Sequence, residues 1–139
     1  MSSAMIEEPP SPSKQALICR FLEASGIQHA IDSGTFVQRL ALPGGPLVGS
    51  GLNFGANLEA VARAYAKHRA VWQDEYERHA NWEFTEEELR GIVGFLESDI
   101  GKHFLEGRWR MDAYVATNTE HLLEDIVADA QASLDERAV

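Results

Sequence analysis

The chain has 139 residues, 45% of them hydrophobic, which is enough for one domain with a core and too short for two of ordinary size. Asp and Glu outnumber Lys and Arg by 22 to 12, for a formal net charge of −10. Such a field repels phosphate backbones and anionic lipid, so no nucleic-acid partner is expected. Cys19 is the only cysteine, which excludes a disulfide within the chain, and no apolar run approaches the roughly 20 residues of a transmembrane segment.

Residues 1–12 are rich in proline, serine and glutamate and predict a flexible tail. They lack a basic stretch followed by an apolar one. The chain as given therefore reads as cytoplasmic, or as periplasmic or secreted if an export signal has been removed. Ser11 as N-cap and Pro12 at the first helical position predict a helix start. Leu17, Ile18, Phe21, Leu22 and Ser25 recur at three- and four-residue spacing, one apolar stripe that should stop at Gly26. Cys19 on this helix is expected to be a small, partly buried hydrophobe.

Ile27, Ile31, Gly34, Val37 and Leu40 predict a second, weaker helix, ended by Pro43. Residues 43–55, between the second and third helices, form a Gly/Pro-rich loop that nevertheless carries Leu47, Val48, Leu52 and Phe54. A solvated linker has no use for these side chains. They should tuck beside the core, the functional alternative being a lid or a partner-docking segment. A third helix is predicted over residues 56–79, with Leu58, Val61, Ala62, Tyr65, Trp72 and Tyr76 as its stripe. Trp72, Tyr76, Trp82 and Phe84 read as an aromatic cluster anchoring helix contacts.

The clearest local signal lies at residues 84–89. Thr85 and Glu88 make a capping box, Phe84 and Leu89 a hydrophobic staple, and Glu86 and Glu87 suit the positive end of the helix dipole. Leu89, Ile92, Val93 and Leu96 should point inward, with Gly91 and Gly94 allowing a neighbouring helix to approach. Residues 98–101 interrupt the helix. A last long pattern follows through Phe104, Met111, Val115, Leu122, Ile126 and Ala130, with a bend expected at Gly107 and fraying over 133–139. The expected fold is all-α: a compact bundle of five or six mostly antiparallel helices forming a single domain over residues 13–132.

No catalytic, cofactor-binding or metal-ligating residue is assigned. The glycines of residues 45–51 lack the Gly-Lys-Ser/Thr of a phosphate loop, and Ser50 does not sit in Gly-x-Ser-x-Gly. His103 with Glu106, and His121 with Glu124, run in the opposite polarity to the Glu-x-x-His of di-iron bundles and read as surface positions. Glu75 and His79 are spaced for an ordinary contact one turn apart.

Tyr76, residues 84–89, Phe95-Leu96-Glu97-Ser98 and Gly101-Lys102 together resemble the bacterial domain-of-unknown-function family numbered 2059. Lys14, Leu17, Ile18, Leu22 and Gly26 are similar to its opening helix, while Asp99 stands where that family has a proline. The resemblance implies a small all-helical domain of a kind that is often exported and has no assigned activity.

The leading functional expectation is a non-enzymatic protein-interaction or self-association domain, forming a homo-oligomer or binding another protein. Its candidate interaction or pocket residues are Leu47, Val48, Leu52, Phe54, Trp72, Tyr76 and Trp82. One alternative is a carrier of a small apolar ligand in an interhelical pocket; the other is an enzyme of unknown class. No cofactor is expected.

Overall fold

A computed structural model describes residues 8–41 and 54–138. Among them are six α-helices, one short 3-10 turn and no strand, the all-α class that the hydrophobic spacing predicts. Helix α1 (Pro12–Ser25) begins as expected: the Ser11 hydroxyl accepts the Lys14 backbone N–H at 3.1 Å, and Pro12 occupies the first turn, where its missing donor costs nothing. Gly26 ends it in the left-handed conformation, φ 87°, which glycine adopts without a Cβ penalty. Leu17, Ile18 and Leu22 are buried. Cys19 is exposed, contrary to expectation. One residue beyond Ile18 is a 100° rotation, which takes the thiol off the stripe.

The second predicted helix is broken into three pieces. They are α2 (Ile27–Ser33), α3 (Thr35–Gln38) and a 3-10 turn (Arg39–Ala41). Gly34 makes the first break: it adopts φ 71° and caps α2, its N–H bonding to the Ala30 carbonyl. Helix α4 (Phe54–Glu83) runs 30 residues, longer at both ends than the predicted span. It receives α2, α3 and the 3-10 turn along its length. Tyr65 is the fixing point, its hydroxyl donating to the Ile31 carbonyl at 2.7 Å while its ring lies against Gly34. Arg69 adds an ion pair to Asp32.

Helix α5 (Glu86–Glu97) starts with the capping box foreseen. Thr85 Oγ1 accepts from the Glu88 N–H at 3.0 Å, and the Thr85 N–H donates to the Glu88 carboxylate at 2.9 Å. Thr85→Ala should therefore cost about 1 kcal/mol, read as a lower urea midpoint at unchanged slope. Helix α1 packs most extensively on α5, and Leu17, Ile18, Leu22, Ala80, Leu89 and Val93 form the core between them and the end of α4. Phe21, Ile27, Tyr76 and Phe84 close its edge, with Phe21 and Phe84 edge to face at 5.7 Å. Gly91 and Gly94 do not receive a neighbouring helix: both are exposed, and a Cβ at either would meet nothing within 4 Å.

Glu86 joins the starts of α1 and α5. Its carboxylate accepts from Ser13 at 2.7 Å and Ser11 at 2.9 Å, and pairs with Arg90 at 3.0 Å. Those two hydroxyl bonds, then the Arg90 guanidinium, hold its pKa below the ordinary 4.5. A depressed carboxylate stabilises the fold above its unfolded-state pKa, and that contribution is lost as pH falls through the folded-state value. Glu86→Gln should thus be less stable than the parent near neutrality, and the gap should narrow in urea titrations as pH falls below the ordinary 4.5.

The chain divides into two units, residues 1–98 and residues 99–139. The second consists of α6 (Asp99–Arg137), one helix of 39 residues that passes through Gly107 without interruption. Its start coincides with the break expected at residues 98–101.

Candidate functional site

The aromatic residues singled out on α4 take separate partners instead of forming one cluster. Trp72 meets Tyr65 edge to face at 5.1 Å, Tyr76 stacks on Phe36 at 5.6 Å, and Trp82 meets His79 edge to face at 5.0 Å. The Arg78 guanidinium lies 5.9 Å from the Trp82 ring centroid. Glu75 bridges to His79 at 3.1 Å, as its spacing suggested, and to Arg78 at 2.6 Å. Leu47, Val48 and Leu52 lie outside the described residues, and so does the side chain of Phe54, which opens α4.

Trp72 and Tyr65 line a cavity with Val37, Leu40, Val61, Ala64 and His68. It is an open cleft between α4 and the α3 and 3-10 segments, with a volume of about 180 Å³. Because the Tyr65 hydroxyl is taken by the Ile31 carbonyl, the wall it offers is mainly ring. Burial pushes its phenol above the ordinary value, so it stays neutral. A space of this size suits a benzene-sized apolar group. It falls short of the roughly 300–1,000 Å³ of drug-sized ligand pockets.

One buried polar contact escaped the sequence analysis. Lys14 is buried and donates to the Asn81 carbonyl at 2.9 Å; Asn81 is buried too, and its amide donates to the Glu8 carbonyl at 2.8 Å. The signal was present, since Lys14 precedes Leu17 and Ile18 by one turn and so belongs to the apolar stripe of α1. Pairing with a carbonyl satisfies part of the cost of burying an ammonium group.

The most extensive apolar surface belongs to α6. Met111, Val115, Leu122 and Ile126 are 67%, 58%, 42% and 61% exposed, and Trp109, Tyr114, Leu123 and Val127 are 61–68% exposed. At 100° per residue the first four fall within an arc of about 60°, and Leu123 and Val127 widen it on one side. Glu106, Thr117, Glu120, Glu124, Gln131 and Asp135 occupy the far side. The polar side chains here are satisfied along the helix itself: Arg108 pairs with Asp112 at 3.8 Å, Arg110 with Glu106 at 4.0 Å, and Thr117 and Thr119 donate to carbonyls one turn back. The apolar side chains have no such recourse.

By spacing alone, Met111, Val115, Leu122 and Ile126 read as a bundle pattern and not as a candidate surface. A helix of 39 residues spans about 58 Å. That length was the available clue, being well beyond the average of three to four turns. Among the described residues no helix is long and apolar enough to cross a membrane, and no group of three His, Cys, Asp or Glu side chains could hold a metal ion. No family model matches the chain, nor does any curated protein or any solved structure.

Proposed function

We propose that the protein is a non-enzymatic helical interaction domain that docks through the apolar side of α6. The observation that carries this reading is the run of large exposed side chains from Trp109 to Leu134 on a single helix. Contiguous apolar surface beyond a few hundred Å² marks interfaces, and a helix gains most of its stability from packing an apolar face. A lipid surface is the poorer occupant. Interfacial helices carry Lys and Arg on the polar side, whereas Glu106, Glu120, Glu124 and Asp135 stand there in α6. Kinship with the family numbered 2059, proposed over residues 13–115 and strongest over 84–105, agrees with a small helical domain and adds no activity.

The test is site-specific photo-crosslinking in the source cells, with the reactive residue at Val115 on the apolar side or at Gln131 on the polar side. Protein adducts are expected from position 115 well above those from 131. Equal or absent adducts at both would remove the reading.

The cavity beside Trp72 favours a second reading, a carrier of a small apolar ligand. Native mass spectrometry of protein purified under mild conditions should then show a bound species of about benzene to indole size. Its absence, together with no effect of such molecules on Trp fluorescence, would remove that alternative.

A further inference from the structure

Apolar pairs one turn apart recur along α6 every eleven residues, Met111 with Val115 and then Leu122 with Ile126. An 11-residue repeat gives a stripe that winds slowly and right-handedly, so it can stay in contact with a second straight helix over many turns. Charge along the same helix is uneven: Asp99, Glu106 and Asp112 balance the basic residues of its first half, while the second half is strongly acidic. Lys102, Arg108 and Arg110 all lie before residue 112, whereas Glu120, Glu124, Asp125, Asp129, Asp135 and Glu136 all lie after residue 119. Arg137 is the single basic residue of that second half.

We infer that the occupant of the α6 face is the α6 of a second copy of this chain, running antiparallel. This deepens the docking proposal above and rests on it. Two copies laid parallel would set one acidic half against the other. Laid antiparallel, with Met111 facing Ile126 and Val115 facing Leu122, they bring residues 102–110 of each copy opposite residues 127–135 of its partner. The acidic second half of each copy then lies against the near-neutral first half of its partner, which relieves the repulsion that a parallel pair would carry. That register puts the twofold axis between residues 118 and 119, which is also the middle of α6, so the helices overlap over their full length. Apolar layers, charge and length thus select one alignment.

The area suffices. A fully buried aliphatic side chain removes roughly 60–120 Å² of apolar surface. The four stripe residues with the flanking Tyr114 and Leu123 from each copy bring the total to the order of 1,000 Å², near the lower bound of stable protein interfaces, before polar area is added.

Sedimentation equilibrium of the full chain over a range of micromolar concentrations is expected to show twice the 15.4 kDa chain mass. Orientation is read from spin-label distances in a Cys19→Ser background. Labels on Asn118→Cys should lie within about 20 Å of each other in the dimer, and labels on Lys102→Cys about 50 Å apart, since 33 residues of helix rise separate each from its partner. Short distances at both positions mean a parallel pair and overturn the inference. Leu122→Glu combined with Ile126→Glu should weaken the dimer at least 100-fold while leaving the urea transition of the 1–98 unit in place; an undiminished dimer overturns it. A chain that is monomeric at every concentration also overturns it. If that monomer still gives adducts to another protein from position 115, docking through α6 stands and only the second copy is lost; if it gives none, both fail.

Discussion

Leu89→Ala is expected to lower the stability of the 1–98 unit by about 2–5 kcal/mol, the largest effect of any single truncation described here. Leu89 has no solvent exposure, and its neighbours in the core come from three helices: Leu17, Ile18 and Leu22 on α1, Ala80 on α4, and Val93 on its own helix. Removing its isobutyl group forfeits the transfer free energy and leaves a void whose walls are held by different elements. The site therefore collapses poorly, and the cost should fall in the upper part of that range. Leu89→Met keeps volume and flexibility and should cost less than about 1.5 kcal/mol. Urea titrations followed by circular dichroism would show the first variant's midpoint well below the second's, at similar slope. Equal midpoints would mean that the α1–α5 contact contributes little.

The same core shows why so much of the fold was legible. Helix α1 and helix α5 are each fixed by chemistry within four or five residues: Ser11 with Pro12 at one start, Thr85 with Glu88 at the other, and a stripe that turns at the helical period between them. Such signals depend on nearby residues alone, so they survive in a sequence without its tertiary partners. Gly34 is the opposite case. Its neighbours Ile31 and Val37 keep helical spacing across it, and only the docking of Tyr65 decides that the chain turns there into the left-handed region. Lys14 and Cys19 mark the same limit on α1. Lys14 sits on the stripe, one turn before Leu17 and Ile18, and is buried against the Asn81 carbonyl of α4, whereas Cys19 is turned 100° off the stripe and is exposed.

The candidate site was less legible for a different reason. An apolar stripe announces that a face will be covered and is silent about what covers it. Met111, Val115, Leu122 and Ile126 have the spacing of any bundle helix, and sequence periodicity assigns such residues to the core of their own chain. The distinction lies in length and charge. A helix far longer than the α1 and α5 elements offers more face than one short partner covers, and its acidic charge is gathered in its second half. Conversely, Trp72, Tyr76 and Trp82 drew attention as aromatics. Their rings serve Tyr65, Phe36 and His79 in turn, which accounts for much of their surface within the 1–98 unit.

Gly34→Ala and Gly91→Ala are the same chemical change and should move stability in opposite directions. At Gly34 two costs add. The backbone sits at φ 71°, where an alanine costs roughly 1–2 kcal/mol, and the new Cβ would lie 2.8 Å from Cδ2 of Tyr65. That ring cannot simply withdraw, because its hydroxyl is held by the Ile31 carbonyl at 2.7 Å and its edge contact with Trp72 is at 5.1 Å. The total should reach about 2–4 kcal/mol, the second large effect, against a gain of only about 0.4–1 kcal/mol from a less flexible unfolded chain. Gly91 lies inside α5, exposed, with open space around its would-be Cβ, so Gly91→Ala should stabilise by about 0.5–1 kcal/mol. Tyr65→Ala separates the two costs at Gly34. In that background the ring is gone, and Gly34→Ala should cost only the backbone share of about 1–2 kcal/mol. A cost undiminished by removing the ring would place the whole penalty in the backbone, and Tyr65 would then hold α2 through its hydroxyl alone.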